Sequence, residues 1–197
     1  MNKKKKFRIL ISVFNKKGLI DFVQELNEIF SLEIVSTGGT ARHLIETGFK
    51  VKTVEQITKF PEILSDRVKT LHPKIHGAIL ADRKNSEHLK ELKKYSIKPF
   101  DMVVVNLYPF EKTIKTKGVT LSKAIEQIDI GGVALLRAAA KNFQSVLVIC
   151  NPNDYPQVAK MLKEKHKLSF GSRKKLAKKV FKLTSRYDKI IKKYLSL

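Results

Sequence analysis

Tryptophan is absent from the 197 residues, cysteine occurs once, and 18 Asp and Glu face 40 Lys and Arg. The lone thiol, Cys150, excludes a disulfide framework and a cysteine-built zinc site. No apolar run approaches the roughly 18 residues of a membrane span. After Lys3–Lys6 no long apolar segment leads to a small-residue cleavage site, which excludes a secretory signal. These absences predict a soluble, cytoplasmic protein with no membrane partner.

The shortage of acids is uneven. Residues 2–8 carry five Lys or Arg and no acid, and residues 158–197 carry fourteen against Glu164 and Asp188. Much of the formal charge of +22 therefore sits at the two ends. Lysines outnumber arginines 33 to 7. Arginine is the residue that reads phosphates and base edges in forked geometry. A lysine surplus without tryptophan describes solvated surfaces, so salt-sensitive background binding is expected and specific nucleic-acid recognition is not.

What is present is a core-forming composition, 43% hydrophobic and 29% charged. There is no internal repeat and no linker. The expectation is a basic tail over 1–6 followed by one domain over 7–197. Phe7–Phe14 reads as a buried strand. Leu19, Ile20, Phe22, Val23, Leu26, Ile29 and Phe30 then recur at helical spacing. Strands are predicted at Glu33–Ser36, near Val51–Val54, at Met102–Asn106 and at Val146–Cys150. Helices are predicted after Gly39, over 87–95, over 121–128, from Val133 to Lys141, and twice after Cys150. Strands alternating with helices predict an α/β fold with a central, mainly parallel sheet flanked by helices. Residues 55–80, with Pro61, Pro73 and Gly77, lack periodicity and read as a functional loop or lobe.

Several segments carry candidate chemistry. Ser36-Thr37-Gly38-Gly39-Thr40 joins a strand to a helix, where backbone N–H groups, hydroxyls and the helix start suit one phosphate; an ordinary strand–helix turn is the alternative. Lys16, after the first strand, lies where it can reach the same phosphate or simply be a solvated turn lysine. Arg67 and Lys69 alternate onto one side of the irregular stretch, a pattern that can clamp an anion or stabilise developing negative charge. His72 and His76 are four apart, but Pro73 between them argues against a helix and no third ligand is evident, so no metal site is expected. Asn106 and Tyr108 fall at the carboxyl end of a strand, with a satisfied core tyrosine as the alternative for Tyr108. Asp129 before Gly131-Gly132 reads as a helix cap. Lys141 ends the following helix after Ala138-Ala139-Ala140, whose small side chains predict close approach by another element and partial burial of the lysine.

Together these motifs carry a resemblance. Ser36–Ala41, Arg67-Val68-Lys69-Thr70-Leu71-His72-Pro73-Lys74-Ile75-His76-Gly77, Asn106–Phe110, Gly118-Val119-Thr120, Ile128–Gly132 and Arg137–Asn142 occur in order. So arranged, the chain resembles the inosine monophosphate (IMP) cyclohydrolase domain of the bifunctional purine-biosynthesis proteins, from about Phe7 to Leu195. The resemblance implies a methylglyoxal-synthase-like fold. It also implies ring closure of 5-formamidoimidazole-4-carboxamide ribotide (FAICAR) to IMP with loss of water, without metal or organic cofactor. Carried over by position, Lys69, Tyr108, Asp129 and Lys141 are the catalytic set, with Asp129 and Lys141 paired around the attacking nitrogen. Lys16, Ser36, Thr37, Gly38, Gly39 and Arg67 hold phosphate and ribose, and Thr70, Asn106 and Ile130 line the nucleotide. Phe14 and Asn15 replace a serine and an aspartate of the family pattern and are left out of the contact set; Phe143 stands where a histidine is common. The transformylase half of the family has no counterpart in this sequence, so that activity is not expected of it; a naturally separate cyclohydrolase, a split protein with a separate AICAR transformylase chain as partner, and a fragment of a longer chain are the three alternatives. A homodimer is implied, and a nucleotide-binding module without turnover is the alternative reading.

Overall fold

In the computed structural model, residues 4–196 are described. Within them the chain alternates β1 (Lys6–Val13), α1 (Leu19–Ile29), β2 (Ser31–Ser36), α2 (Gly38–Glu46), β3 (Val51–Thr53), α3 (Val54–Thr58), α4 (Pro73–Leu80), α5 (Ser86–Lys94), β4 (Met102–Asn106), α6 (Phe110–Thr113), α7 (Leu121–Ile125), α8 (Gly131–Lys141), β5 (Leu147–Ile149), α9 (Tyr155–Lys165) and α10 (Phe170–Leu195). The five strands form one sheet in the order β3-β2-β1-β4-β5, with every pair parallel. This is the α/β architecture expected.

Parallel strands buried on both faces are apolar at successive positions, and side chains alternate between the faces. Ile9, Ile11 and Val13 of β1 point into one core with Phe22, Leu26 and Leu162 from α1 and α9. Leu10 points into the other, with Val103 and Val105 of β4 and residues of α4, α8 and α10. The 26-residue α10 buries Leu176, Ala177, Val180, Thr184 and Tyr187 and leaves its lysines outside, which is why so basic a helix packs.

The expected loop over 55–80 is shorter than predicted. Thr53 and Gln56 form a reciprocal capping box that starts α3. Pro73 occupies the first turn of α4, where its missing N–H costs nothing, and His72 caps it by accepting from the Lys74 N–H at 3.1 Å. The assumption that Pro73 spoils a helix is thereby corrected. Only residues 59–72 remain irregular, and among the described residues no group of three metal ligands exists. The basic tail is also shorter: Lys6 already pairs with Ser31, and Lys5 accepts from the Ser31 N–H. Residues 1–3 of that tail lie outside the described residues. α7 stops at Ile125 instead of 128, and the chain turns through 126–130 into α8.

Candidate active site

Strand order reverses direction at β1, since the chain crosses from β2 and β3 on one side to β4 and β5 on the other. In open α/β sheets the crevice beyond the strand carboxyl ends at such a point is the expected ligand site. A cavity of about 570 Å³ lies there. Two walls enclose it.

The first wall is made of strand ends. Ser12 Oγ and Thr37 Oγ1, at the ends of β1 and β2, are 2.9 Å apart and hydrogen-bonded. The Thr40 hydroxyl accepts from the Val13 N–H at 3.1 Å and donates to the Val13 carbonyl at 2.9 Å, which fastens α2 to β1. Gly38 has φ +40° and opens α2, so the first-turn amides of Gly38 and Gly39, which lack intrahelical acceptors by geometry, face the cavity. Lys16 enters from the turn after β1. Asn106, at the end of β4, accepts from the Asn15 N–H at 2.8 Å and donates to its carbonyl at 2.9 Å, clamping that turn. Ser36 is not on this wall: it is fully buried and donates to the Ile11 carbonyl at 2.7 Å.

The second wall comes from residues 65–70 and 125–132. Leu64, Ser65 and Asp66 have φ of 55°, 53° and 70°, a run of left-handed non-glycine conformations that reverses the chain just before Arg67. Arg67 is held by a forked pair with Glu126 across the cavity lip, which pushes its pKa upward. Lys69 Nζ lies 3.6 Å from Asp66, and 3.9 Å from where a Cβ on Gly38 would stand, so it faces both walls. Thr70 is buried beneath Gly131, where an added Cβ would come within 2.7 Å of its hydroxyl.

Asp129 accepts from the Gly132 N–H at 2.6 Å. It is therefore a cap, as read from sequence, and a cavity group as well. Burial pushes its carboxyl pKa up, while the backbone N–H groups of Gly132 and Tyr108 and the charge of Lys69 pull the other way. A Cβ at position 132 would stand 2.5 Å from Asp129 Oδ2, so only glycine accommodates the carboxylate in this position. At the mouth, Tyr108 is 43% exposed and its ring centroid lies 5.3 Å from that of Phe14, tilted by 57°. Phe14, which the motif comparison left out, thus lines the cavity. Ile130, 60% exposed, supplies an apolar lip opposite.

The structure gathers Lys16, Thr37, Gly38, Gly39, Arg67, Lys69, Thr70, Asn106, Tyr108, Asp129 and Ile130 around one cavity. It does not bring Lys141 there. α8 begins at the cavity and runs away from it, so Lys141, ten residues beyond Gly131, ends roughly 15 Å distant at 1.5 Å per residue. Ala138, Ala139 and Ala140 are buried as expected, but Lys141 itself is exposed. The predicted Asp129–Lys141 pair is thus not formed within one chain.

A family profile for the MGS-like domain matches residues 18–134. The chain belongs to the MGS-like domain family. The matched segment of this MGS-like chain contains the whole second wall and the α2 start. A second profile, the AICARFT/IMPCHase bienzyme, matches residues 139–197. "Bifunctional purine biosynthesis protein PurH" from Acetivibrio thermocellus is 51% identical over 188 residues, covering 95% of this chain and 36% of that protein. The protein of the same name from Oenococcus oeni is 52% identical over 189 residues, covering 96% and 37%. The one from Bacillus subtilis is 49% identical with the same coverage. The MGS-like chain thus spans a little over a third of the length of these relatives. A solved structure described as "Crystal structure of ForH" superposes with a TM-score of 0.86 at 29% identity, covering 96% of this chain and 97% of that one.

Sequence reasoning gave no site role to Ser12, Asp66, Glu126 or Tyr187, and read Thr40 only as part of the 36–40 loop. Ser12 and Thr40 are single hydroxyls whose partners lie across the strand ends. Glu126 opposes Arg67 from 59 residues away. Tyr187 lies on the buried face of α10; its spacing and its match to the family pattern give its burial but not the partners of its hydroxyl.

Proposed function

We propose that the domain is an IMP cyclohydrolase, acting on FAICAR. The observation that carries this reading is the convergence of Lys69, Tyr108 and Asp129 on a cavity whose other wall is an anion-binding helix start. The relatedness to PurH proteins supports it.

In this reading the ribotide phosphate rests on the amides of Gly38 and Gly39, with the Thr37 hydroxyl and Lys16 beside it. Arg67 exchanges Glu126 for the substrate's anionic end. Asn106, Thr70 and Ile130 line the nucleotide. The carboxamide nitrogen and formyl carbon are held together, which replaces a bimolecular encounter by positioning. The nitrogen forms the new C–N bond while its proton passes to Asp129, whose burial strengthens it as a base. The formyl C=O electron pair moves to oxygen, where Lys69 and the Tyr108 hydroxyl stabilise the negative charge. Protonation of that oxygen gives a carbinolamine. Loss of its hydroxyl as water, with a ring N–H proton returned to base, completes the pyrimidine ring.

Lys141 enters this scheme only from a second copy of the chain. A homodimer with sites between copies is therefore part of the proposal, as is a cytoplasmic location. Purified protein with synthetic FAICAR is expected to develop the absorbance of IMP. A wild-type rate equal to solvent, with IMP still bound, would favour the second reading, a nucleotide-binding module, which the remoteness of Lys141 supports. Mixing Lys141→Ala with Asp129→Asn, each inactive alone, is expected to restore part of the activity; no recovery in verified mixed dimers removes Lys141 from the site.

A further inference from the structure

The geometry points to Tyr187, on α10, as the positioning residue that holds the Asp129 turn in register with the opposite wall of the cavity. This rests on the cyclohydrolase reading for its activity readout but on the structure alone for its geometry.

The Tyr187 hydroxyl accepts from the Asp129 N–H at 2.9 Å and donates to the Gln127 carbonyl at 3.1 Å. One oxygen thus closes the turn between α7 and α8 from outside, 58 residues further along the chain. Nothing nearer in sequence does this. Asp129 N–H precedes the first turn of α8, and Gln127 carbonyl follows the last turn of α7, so neither belongs to a helical ladder. The ring is 7% exposed and packs edge-on against Phe110, with centroids 6.2 Å apart. Phe110 follows Tyr108-Pro109 directly. Tyr187 therefore touches both groups that the reaction needs in fixed relation, the Asp129 turn by its hydroxyl and the Tyr108 segment by its ring.

The groups facing Asp129 from each packed element bear on any pH effect. Lys69 acts on it from the irregular loop and Gly132 from α8. The Tyr108 amide acts from the strand end, and Tyr187 comes from α10, where its own hydroxyl feels both Asp129 and the neighbouring Asp188. Releasing the turn admits water to the carboxyl and reduces the desolvation that dominates its environment.

Tyr187→Phe keeps the ring against Phe110 and removes only the hydroxyl. It is expected to lower kcat for FAICAR at least tenfold, to leave IMP affinity within threefold, and to move the acid limb of kcat to lower pH. Tyr194→Phe is the control: its ring also meets Phe110, at 5.7 Å, and its hydroxyl bonds to no described group of the turn. Unchanged kcat and acid limb in Tyr187→Phe, or a raised KM with kcat intact, would overturn the proposal. Carbon-13 titration of the Asp129 carboxyl in wild type and Tyr187→Phe decides the same point without turnover: a downward shift supports it, and identical curves sink it. Should wild type lack activity while this shift is seen, the cyclohydrolase reading fails and the positioning role stands. If Tyr187→Phe does not fold, 3-fluorotyrosine at position 187, which retains a weaker-accepting hydroxyl, is expected to move the titration in the same direction by less.

Discussion

The two walls of the cavity are built by different rules. The first wall is made of strand ends and a helix start, fastened by Ser12 to Thr37, Thr40 to Val13 and Asn106 to Asn15. The second, acid wall is made of irregular segments, fastened by Arg67 to Glu126 and Asp129 to Tyr187. The first wall sits on the carboxyl edge of the sheet, whose core α10 itself helps to bury. The second depends in addition on the hydroxyl of Tyr187 and on three left-handed residues at 64–66. Under the proposed function, binding and chemistry fall to parts of the molecule with different supports, so the two are expected to separate by mutation.

The sharpest test is Asp129→Asn. It removes the base and leaves the phosphate wall intact, so kcat is expected to fall about 10²–10⁴-fold with IMP binding preserved. The same change is expected to stabilise the fold. Burial raises the Asp129 pKa in the folded chain, so the ionised carboxyl costs stability at neutral pH, and that cost disappears as pH falls through the raised value. A neutral amide removes it at all pH values. A Tm higher than that of the wild type at neutral pH, with the difference shrinking as pH falls, checks this. Loss of IMP binding together with activity would break the distinction between the walls.

Gly132→Ala comes next. Its methyl group displaces the Asp129 carboxylate without altering its chemistry, and misplacement on the scale of 1 Å is expected to lower kcat roughly 10–100-fold. Steady-state kinetics beside IMP titration checks this. On the other wall, Lys16→Ala is expected to raise KM about tenfold, the worth of one charge-assisted contact, with kcat changed less than twofold. A drop in kcat instead would show that Lys16 belongs to the chemistry. The smallest effect is in the pH profile. Activity requires ionised Asp129 and is lost as pH falls, and the acid limb is expected above the ordinary aspartate value of about 3.9. A limb at or below that value in the wild type would show that burial does not govern this carboxyl.

The same division explains what could be read from residues alone. β1, β2 and β4 are apolar runs closed by polar residues, so the sheet and the turn at 36–40 were visible as local patterns. Pro73 was misread because the same residue breaks a helix inside and starts one at its first turn. Lys141 was assigned by position in a motif, but helix direction, which a motif does not encode, carries it away from the cavity. Tyr187 was hidden for the opposite reason. Its spacing predicted burial, and burial is correct, but no periodicity reports where a hydroxyl on a buried ring points.

The span between Asp129 and Tyr187 has a consequence during synthesis. A chain emerging at about 5–20 residues per second needs roughly 3–12 s to extend from one to the other. In that interval the turn at 127–129 keeps its local bonds, Gln127 N–H to Ala124 and Gly132 N–H to Asp129, and lacks the hydroxyl that closes it. A nascent chain on the ribosome thus carries the whole turn well before the group that fixes it, so this corner of the cavity is among the last parts to be set.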